Sequence, residues 1–104
     1  MTVNDIYTLL TTSRIPVFYH HAPNGQTLPF MTYTIEQSSN FTADDKVYQK
    51  ITSLSVDLYT KSKDIATEAI IEGVFDSANI PWSKTESYDD DEQFYIETYE
   101  SEVI

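Results

Sequence analysis

A chain of 104 residues is long enough for one domain with one modest core and too short for two. Its 17 acidic against 6 basic residues leave a net charge of −11, which disfavours a DNA-gripping role because a duplex rewards cationic surfaces. The absence of cysteine excludes a disulfide framework and a thiolate metal site, and no run approaches the roughly 20 apolar residues of a membrane helix.

The opening MTVNDIYTLL has neither the positive start nor the apolar length of a signal peptide, so no leader is expected. Asn4 or Asp5 can cap a two-turn helix with Ile6, Leu9 and Leu10 at helical spacing, ending near Ser13 because Pro16 follows. Pro16 to His21 reads as a short strand, placed at a sheet edge by its proline. Ala22 to Pro29 combines Pro, Asn-Gly and Pro and must turn. Phe30 to Gln37 resumes alternation, with Phe30, Thr32, Thr34 and Glu36 on one side and Met31, Tyr33, Ile35 and Gln37 on the other. Ser38 to Asp45 holds polar turn formers around Phe41 and reads as a loop of about eight residues joining an antiparallel pair.

Lys46 to Thr60, KVYQKITSLSVDLYT, is the longest alternating stretch. It predicts a central strand with Leu54, Val56 and Leu58 facing the core. After the polar break Lys61 to Asp64 the apolar period changes to 3.6, and Asp64 can cap a second helix. Ala66, Ala69, Ile70, Gly73, Val74 and Ser77 suggest a narrow face against the sheet, with Ile65 and Phe75 at its margin and Glu68, Glu72 and Asp76 on the wet side. The helix should end at Asn79, which tolerates a left-handed cap, ahead of Pro81. Trp82 to Tyr88 and Phe94 to Ser101 complete the pattern as two strands across Asp89, Asp90, Asp91 and Glu92. The expected fold is one α+β domain, residues 1–104, in the order α-β-β-β-α-β-β: a mostly antiparallel sheet of about five strands with two helices packed on it.

Candidate chemistry is thin. His20 and His21 are the only imidazoles, and neighbours on a strand point to opposite faces, so surface histidines are expected and not a shared ion. The acids Asp89 to Glu92 are contiguous and lack the alternation and glycine of a calcium loop. No serine sits in a Gly-x-Ser-x-Gly elbow, and two glycines cannot build a phosphate loop. The sequence therefore predicts a protein that is not an enzyme, with no catalytic, metal-binding or cofactor-binding residue. Eight Tyr and five Phe exceed what one core encloses, which points to contact surfaces. In the last strand Tyr95, Glu97 and Tyr99 share a face; its first half reads as buried on one side and its second half as amphipathic and wet, either a charge-protected edge or a strand meeting a neighbour.

The stretch NFTADDKVYQKITSLSVDLYTKSKD, the Ile80-Pro81-Trp82 link and SYDDDEQFYIETYESEV resemble the tail terminator or tail-completion proteins of long-tailed phages and prophages of Gram-positive bacteria. The likeness covers most of the chain from Phe30 onward and is clearest in VYQKI, DLYTKSKD and FYIETYE. It implies an α/β subunit, monomeric or not in isolation, that forms a hexameric ring at the head-proximal end of the tail. There it would stop growth of the major tail tube protein, dock a head completion or connector protein, and let DNA pass without binding it. It implies a virion protein made in the host cytoplasm. The interface residues expected on this view are Phe41, Val47, Tyr48, Ile51, Asp89, Asp90, Asp91, Tyr95 and Tyr99, with Val47, Tyr48 and Ile51 extending past what the second helix covers. A head–tail connector or stopper would share these traits, and an acidic DNA mimic that inhibits a host nuclease is the alternative of a different class.

Overall fold

The longest alternating stretch becomes the middle of the sheet. The computed structural model describes residues 3–43 and 46–103, except for the side chains of Val3 and residues 37–51. Along the chain it forms α1 (Val3–Thr11), β1 (Val17–Tyr19), β2 (Phe30–Ala43), β3 (Lys46–Thr60), α2 (Ile65–Ser77), β4 (Trp82–Asp89) and β5 (Phe94–Val103). This is the expected order of elements. The sheet runs β1-β2-β3-β5-β4. Its pairs are antiparallel except at one edge, where β1 lies parallel to β2, so the sheet is mixed. The ten residues 20–29 supply the return path that a parallel neighbour requires.

One face of the sheet carries the core. Met31 and Tyr33 of β2, Leu54, Val56 and Leu58 of β3, and Tyr99 and Val103 of β5 join Ile6 and Leu10 of α1 and Ile71 and Phe75 of α2 in a single cluster. Both helices therefore lie against this face, and among the described residues no helix covers the opposite face. The sequence reading of β3 holds: Leu54, Val56 and Leu58 are fully buried, as period two requires of a strand covered on one side.

The face of α2 differs from the expectation. Ile71 and Phe75 are fully buried and Glu68 nearly so, whereas Ala66, Ala69, Ile70, Gly73 and Ser77 are exposed and Ile65 is 71% exposed. Burying a large apolar side chain gains about 1.5–3 kcal/mol, far more than an alanine or glycine offers. The helix accordingly turns its i, i+4 pair Ile71 and Phe75 inward, and Glu68 comes with them. Its ends match the sequence. Asp64 Oδ1 accepts from Thr67 N at 3.1 Å. At the other end Asn79 has φ 57°, with Ile80 N bonded to Phe75 O and Asn79 N to Asp76 O, the paired closure that satisfies the last carbonyls.

Three other expectations are corrected. Helix α1 begins at Val3, so Asn4 and Asp5 sit in its first turn and do not precede it. Residues 38–43 continue β2, paired through Ser39↔Ile51, Asn40↔Lys50, Phe41↔Gln49, Thr42↔Val47 and Ala43↔Lys46. The polar composition suggested a loop, but the alternating strand opposite offers most of its backbone groups a partner, with register shifts between Glu36 and Ser39 and between Phe41 and Thr42; Asp44 and Asp45 lie outside the described residues. Finally, β5 is not an edge: it is paired by β3 and β4 on its two sides. Its second half is amphipathic, as expected: Glu100 and Glu102 are exposed while Ser101 and Val103 are buried.

Candidate functional site

Three features of the molecule have no explanation in the apolar core alone. The first is an ionic cluster between α2 and the sheet. In β5, Glu97 follows the same inward parity as Tyr99 and is 1% exposed; β4 sets Glu86 opposite Glu97 and Lys84 opposite Tyr99. Helix α2 lowers Glu68 and Glu72 onto them. Lys63, in the link before α2, donates to Glu86 at 2.7 Å, Glu68 at 3.1 Å and Glu97 at 3.2 Å. Lys84 donates to Glu68 at 2.9 Å and Glu72 at 2.8 Å, and the Tyr99 hydroxyl donates to Glu72 at 2.9 Å.

Four carboxylates thus share two ammonium groups, and their protonation divides accordingly. Burial raises Glu97, and the neighbouring Glu68 and Glu86 charges add to it beyond what Lys63 offsets. Burial also pushes Glu68 upward, but bonds from Lys84 and Lys63 outweigh it and hold Glu68 below the ordinary carboxylate value. The bond from Lys63 holds Glu86 low. Lys63 is raised by Glu86 and Glu68, and Lys84 by Glu72 and Glu68. One oxygen of Glu97 and one of Glu68 lack a hydrogen-bond donor, although that Glu68 oxygen still lies 3.0 Å from Lys63 Nζ. Glu68, Glu86 and Glu97 each bring a ligand atom within 4.8 Å of the others. The Lys63 ammonium stands among all three, so a cation could use them only by displacing it.

The second feature is the open face of the sheet. Register puts Phe30, Thr34 and Glu36 of β2, Asp57 and Tyr59 of β3, Phe94, Ile96, Glu100 and Glu102 of β5 and Asp89 of β4 on it. At one end rings run from strand to strand: Phe18 to Phe30 at 6.3 Å, Phe30 stacked on Tyr59 at 4.7 Å, and Tyr59 to Phe94 at 5.3 Å. The other end is a concave trough of about 560 Å³ that includes Glu36, Glu100 and Glu102. Among the described side chains this face carries five acids and no Lys or Arg. Asp57 is held by the Thr98 hydroxyl at 2.7 Å.

The third feature is an arm. Among the described residues β5 reaches β3 no further than Thr52↔Val103, so there Lys46–Ile51 and the β2 residues paired to them have only each other.

The expected interface residues distribute unevenly over these features. Phe41, Val47 and Ile51 lie on the paired backbone of the arm and Tyr48 at the register shift between its Phe41 and Thr42 rungs; their side chains lie outside those described. Asp90 and Asp91 are exposed on the β4–β5 turn, whose backbone is fixed by Asp89 Oδ1 accepting from Asp91 N and Glu92 N. Tyr95 is partly buried, its ring 4.8 Å from that of the exposed Tyr88. Tyr99 is a correction: it is fully buried between Phe75 and Trp82, because β5 is internal and its alternation points Tyr99 beneath α2. The histidines are at the surface, as expected, but not as strand neighbours. His20 leaves the strand with φ 70°, and its ring is 5.7 Å from that of His21, both exposed.

The ionic cluster is what sequence reasoning missed. Its trace was present in Glu97, spaced between Tyr95 and Tyr99 on the inward parity, and in the alternation of Lys84 with Glu86. No family model, no curated protein and no solved structure matches this chain.

Proposed function

We propose that this protein is a structural component of phage assembly: a tail terminator that forms a ring at the head-proximal end of the tail tube, stops tube growth and joins tail to head. The arm carries the reading. Six residues of β3 continue past the last β5 rung, about 20 Å of strand at 3.3 Å per residue, and the molecule is 50 Å long against 27 and 22 Å in its other dimensions. A two-stranded hairpin by itself is marginal in water. Such an arm gains stability by lying on another molecule, and a neighbouring subunit supplies one at every step around a ring.

Two further observations support the same reading. Among the described residues β4 pairs only with β5, leaving an eight-residue edge, and β1 covers only three residues of β2. Unpaired edges of different length at the two sides of a sheet suit heterologous contacts, one patch meeting a different patch, which close into rings. The acidic end of the open face, where Glu36, Glu100 and Glu102 stand with no described base, suits a lumen through which DNA slides, since carboxylates repel phosphates. On this reading the hexamer contacts the tube protein on one side and a head completion protein on the other, and holds DNA nowhere.

Electron microscopy of particles made without the protein tests the proposal. Overlong tails without heads are expected; tails of normal length bearing heads would refute it and favour the nuclease-decoy alternative. A variant in which a tight turn replaces residues 39–50 should keep its fold yet fail to cap purified tail tubes.

A further inference from the structure

We propose that the apolar row on the open face docks a different polypeptide, one that presents aliphatic or aromatic side chains beside a cluster of Lys or Arg. The proposal does not depend on the tail reading, because it follows from the sheet alone.

The row crosses four strands: Phe18 on β1, Phe30 on β2, Tyr59 on β3 and Phe94 on β5. At the strand spacing of a sheet it is about 15 Å wide. Each ring is only half-buried, with its edges packed on its neighbours and no helix over it. Ile96, opposite both Tyr59 and Ser87, broadens the row by one step. Aromatic side chains offer large contact area at low entropic cost, which is why they anchor protein interfaces.

Charge decides what covers them. The row ends at the β4–β5 turn, where Asp89 faces Phe94 across the ladder and Asp90, Asp91 and Glu92 stand exposed. Asp89 accepts from the two amides of its own turn, so the three acids beyond it are held in place before any partner arrives. An apolar row bounded by fixed negative charge complements an apolar segment with cations at one end.

A second copy of this chain fits poorly. Two open faces stacked on each other would set acids against acids across a low-dielectric contact. Of the basic residues whose side chains are described, Lys63 and Lys84 are engaged inside the ionic cluster, which leaves Arg14 and Lys61 to meet a turn of four acids. Nucleic acid is repelled by the same charge. The complementary class is a basic polypeptide.

The test uses the full chain, isotope-labelled for NMR, and two synthetic peptides of equal positive charge, one alternating Lys with Leu and one alternating Lys with Ser. The Lys–Leu peptide should shift the amides of Phe18, Phe30, Tyr59, Phe94 and Ile96 and bind at least about tenfold more tightly than the Lys–Ser peptide. Neutralising the turn with Asp90→Asn, Asp91→Asn and Glu92→Gln should weaken Lys–Leu binding about tenfold. Neutralising the far end with Glu36→Gln, Glu100→Gln and Glu102→Gln removes the same charge and should weaken it by less than about threefold. Phe30→Ser with Phe94→Ser should abolish the Lys–Leu preference, and the turn variant, at exposed positions, keeps the test decisive should that pair unfold. Equal binding of the two peptides, equal effects of the two neutralised sets, or shifts centred on α2 would overturn the proposal. So would a concentration-dependent dimer in sedimentation that Phe30→Ser with Phe94→Ser dissolves, since a second copy would then be the occupant.

Discussion

Replacing Lys84 by Met removes one charge from the ionic cluster while keeping an unbranched apolar stem opposite Tyr99. The ammonium stands 2.9 Å from Glu68 and 2.8 Å from Glu72, and Glu68 is 2% exposed. Stripping one partner from a buried pair costs about 3–5 kcal/mol, because the other charge is left without compensation. Here Lys63 remains 3.0 Å from Glu68 with its side chain 44% exposed, a weaker partner in higher dielectric. The expected loss is therefore about 2–3 kcal/mol. In urea at neutral pH, followed by Trp82 fluorescence, that loss lowers the midpoint by about 1–2 M with an unchanged slope.

Acid should close the gap. Glu68 titrates below its ordinary value of 4.5 because bonds from Lys84 and Lys63 outweigh its burial. A carboxylate whose folded pKa is depressed contributes stability above the unfolded value and loses it as pH falls through the folded one. The difference between wild type and Lys84→Met should thus be full at neutral pH and shrink in strong acid. Replacing Lys84 by Met and Glu68 by Leu together should recover most of the loss, since apolar residues substitute for a buried pair at little cost. A Lys84→Met loss under about 0.5 kcal/mol, the size typical of a surface pair, would refute the account of a buried cluster, as would a gap that ignores pH.

Three more outcomes follow from the same packing. Ile71→Ala should cost about 2–5 kcal/mol and Ile70→Lys less than about 0.5 kcal/mol in the same urea assay, the reverse of what the small-residue face of α2 suggests. Asp64→Ala removes the bond to Thr67 N and should cost about 1 kcal/mol in thermal or urea melts. Glu97→Gln should stabilise the fold at neutral pH. Burial and the charges of Glu68 and Glu86 raise Glu97, so the native carboxyl contributes stability below the unfolded value of 4.5 and loses it as pH rises through its folded value. The gain of the Gln variant should vanish in acid, which melts at a series of pH values will record.

Period and punctuation in the sequence determined the order of elements, the central place of β3 and both ends of α2. Leu54, Val56 and Leu58 are written at strand spacing. Asp64 and Asn79 carry the cap chemistry in their own side chains and backbones, so no distant residue is needed to read them. The rotation of α2 was not legible: Ala66, Ala69, Ile70 and Gly73 form as regular a stripe as Ile71 and Phe75, and only the core around Tyr99 that the sheet supplies decides between them. The same holds for Glu68 and Glu97, which look like wet-side charges until β4 brings Lys84 and the link before α2 brings Lys63 to meet them. For residues 38–43 local composition favoured a loop, and pairing with Lys46–Ile51 overrode it. Local chemistry fixes elements and caps because its causes lie within a few residues; faces, edges and ion pairs were decided by the tertiary structure, because their energies belong to residues the chain brings together only on folding.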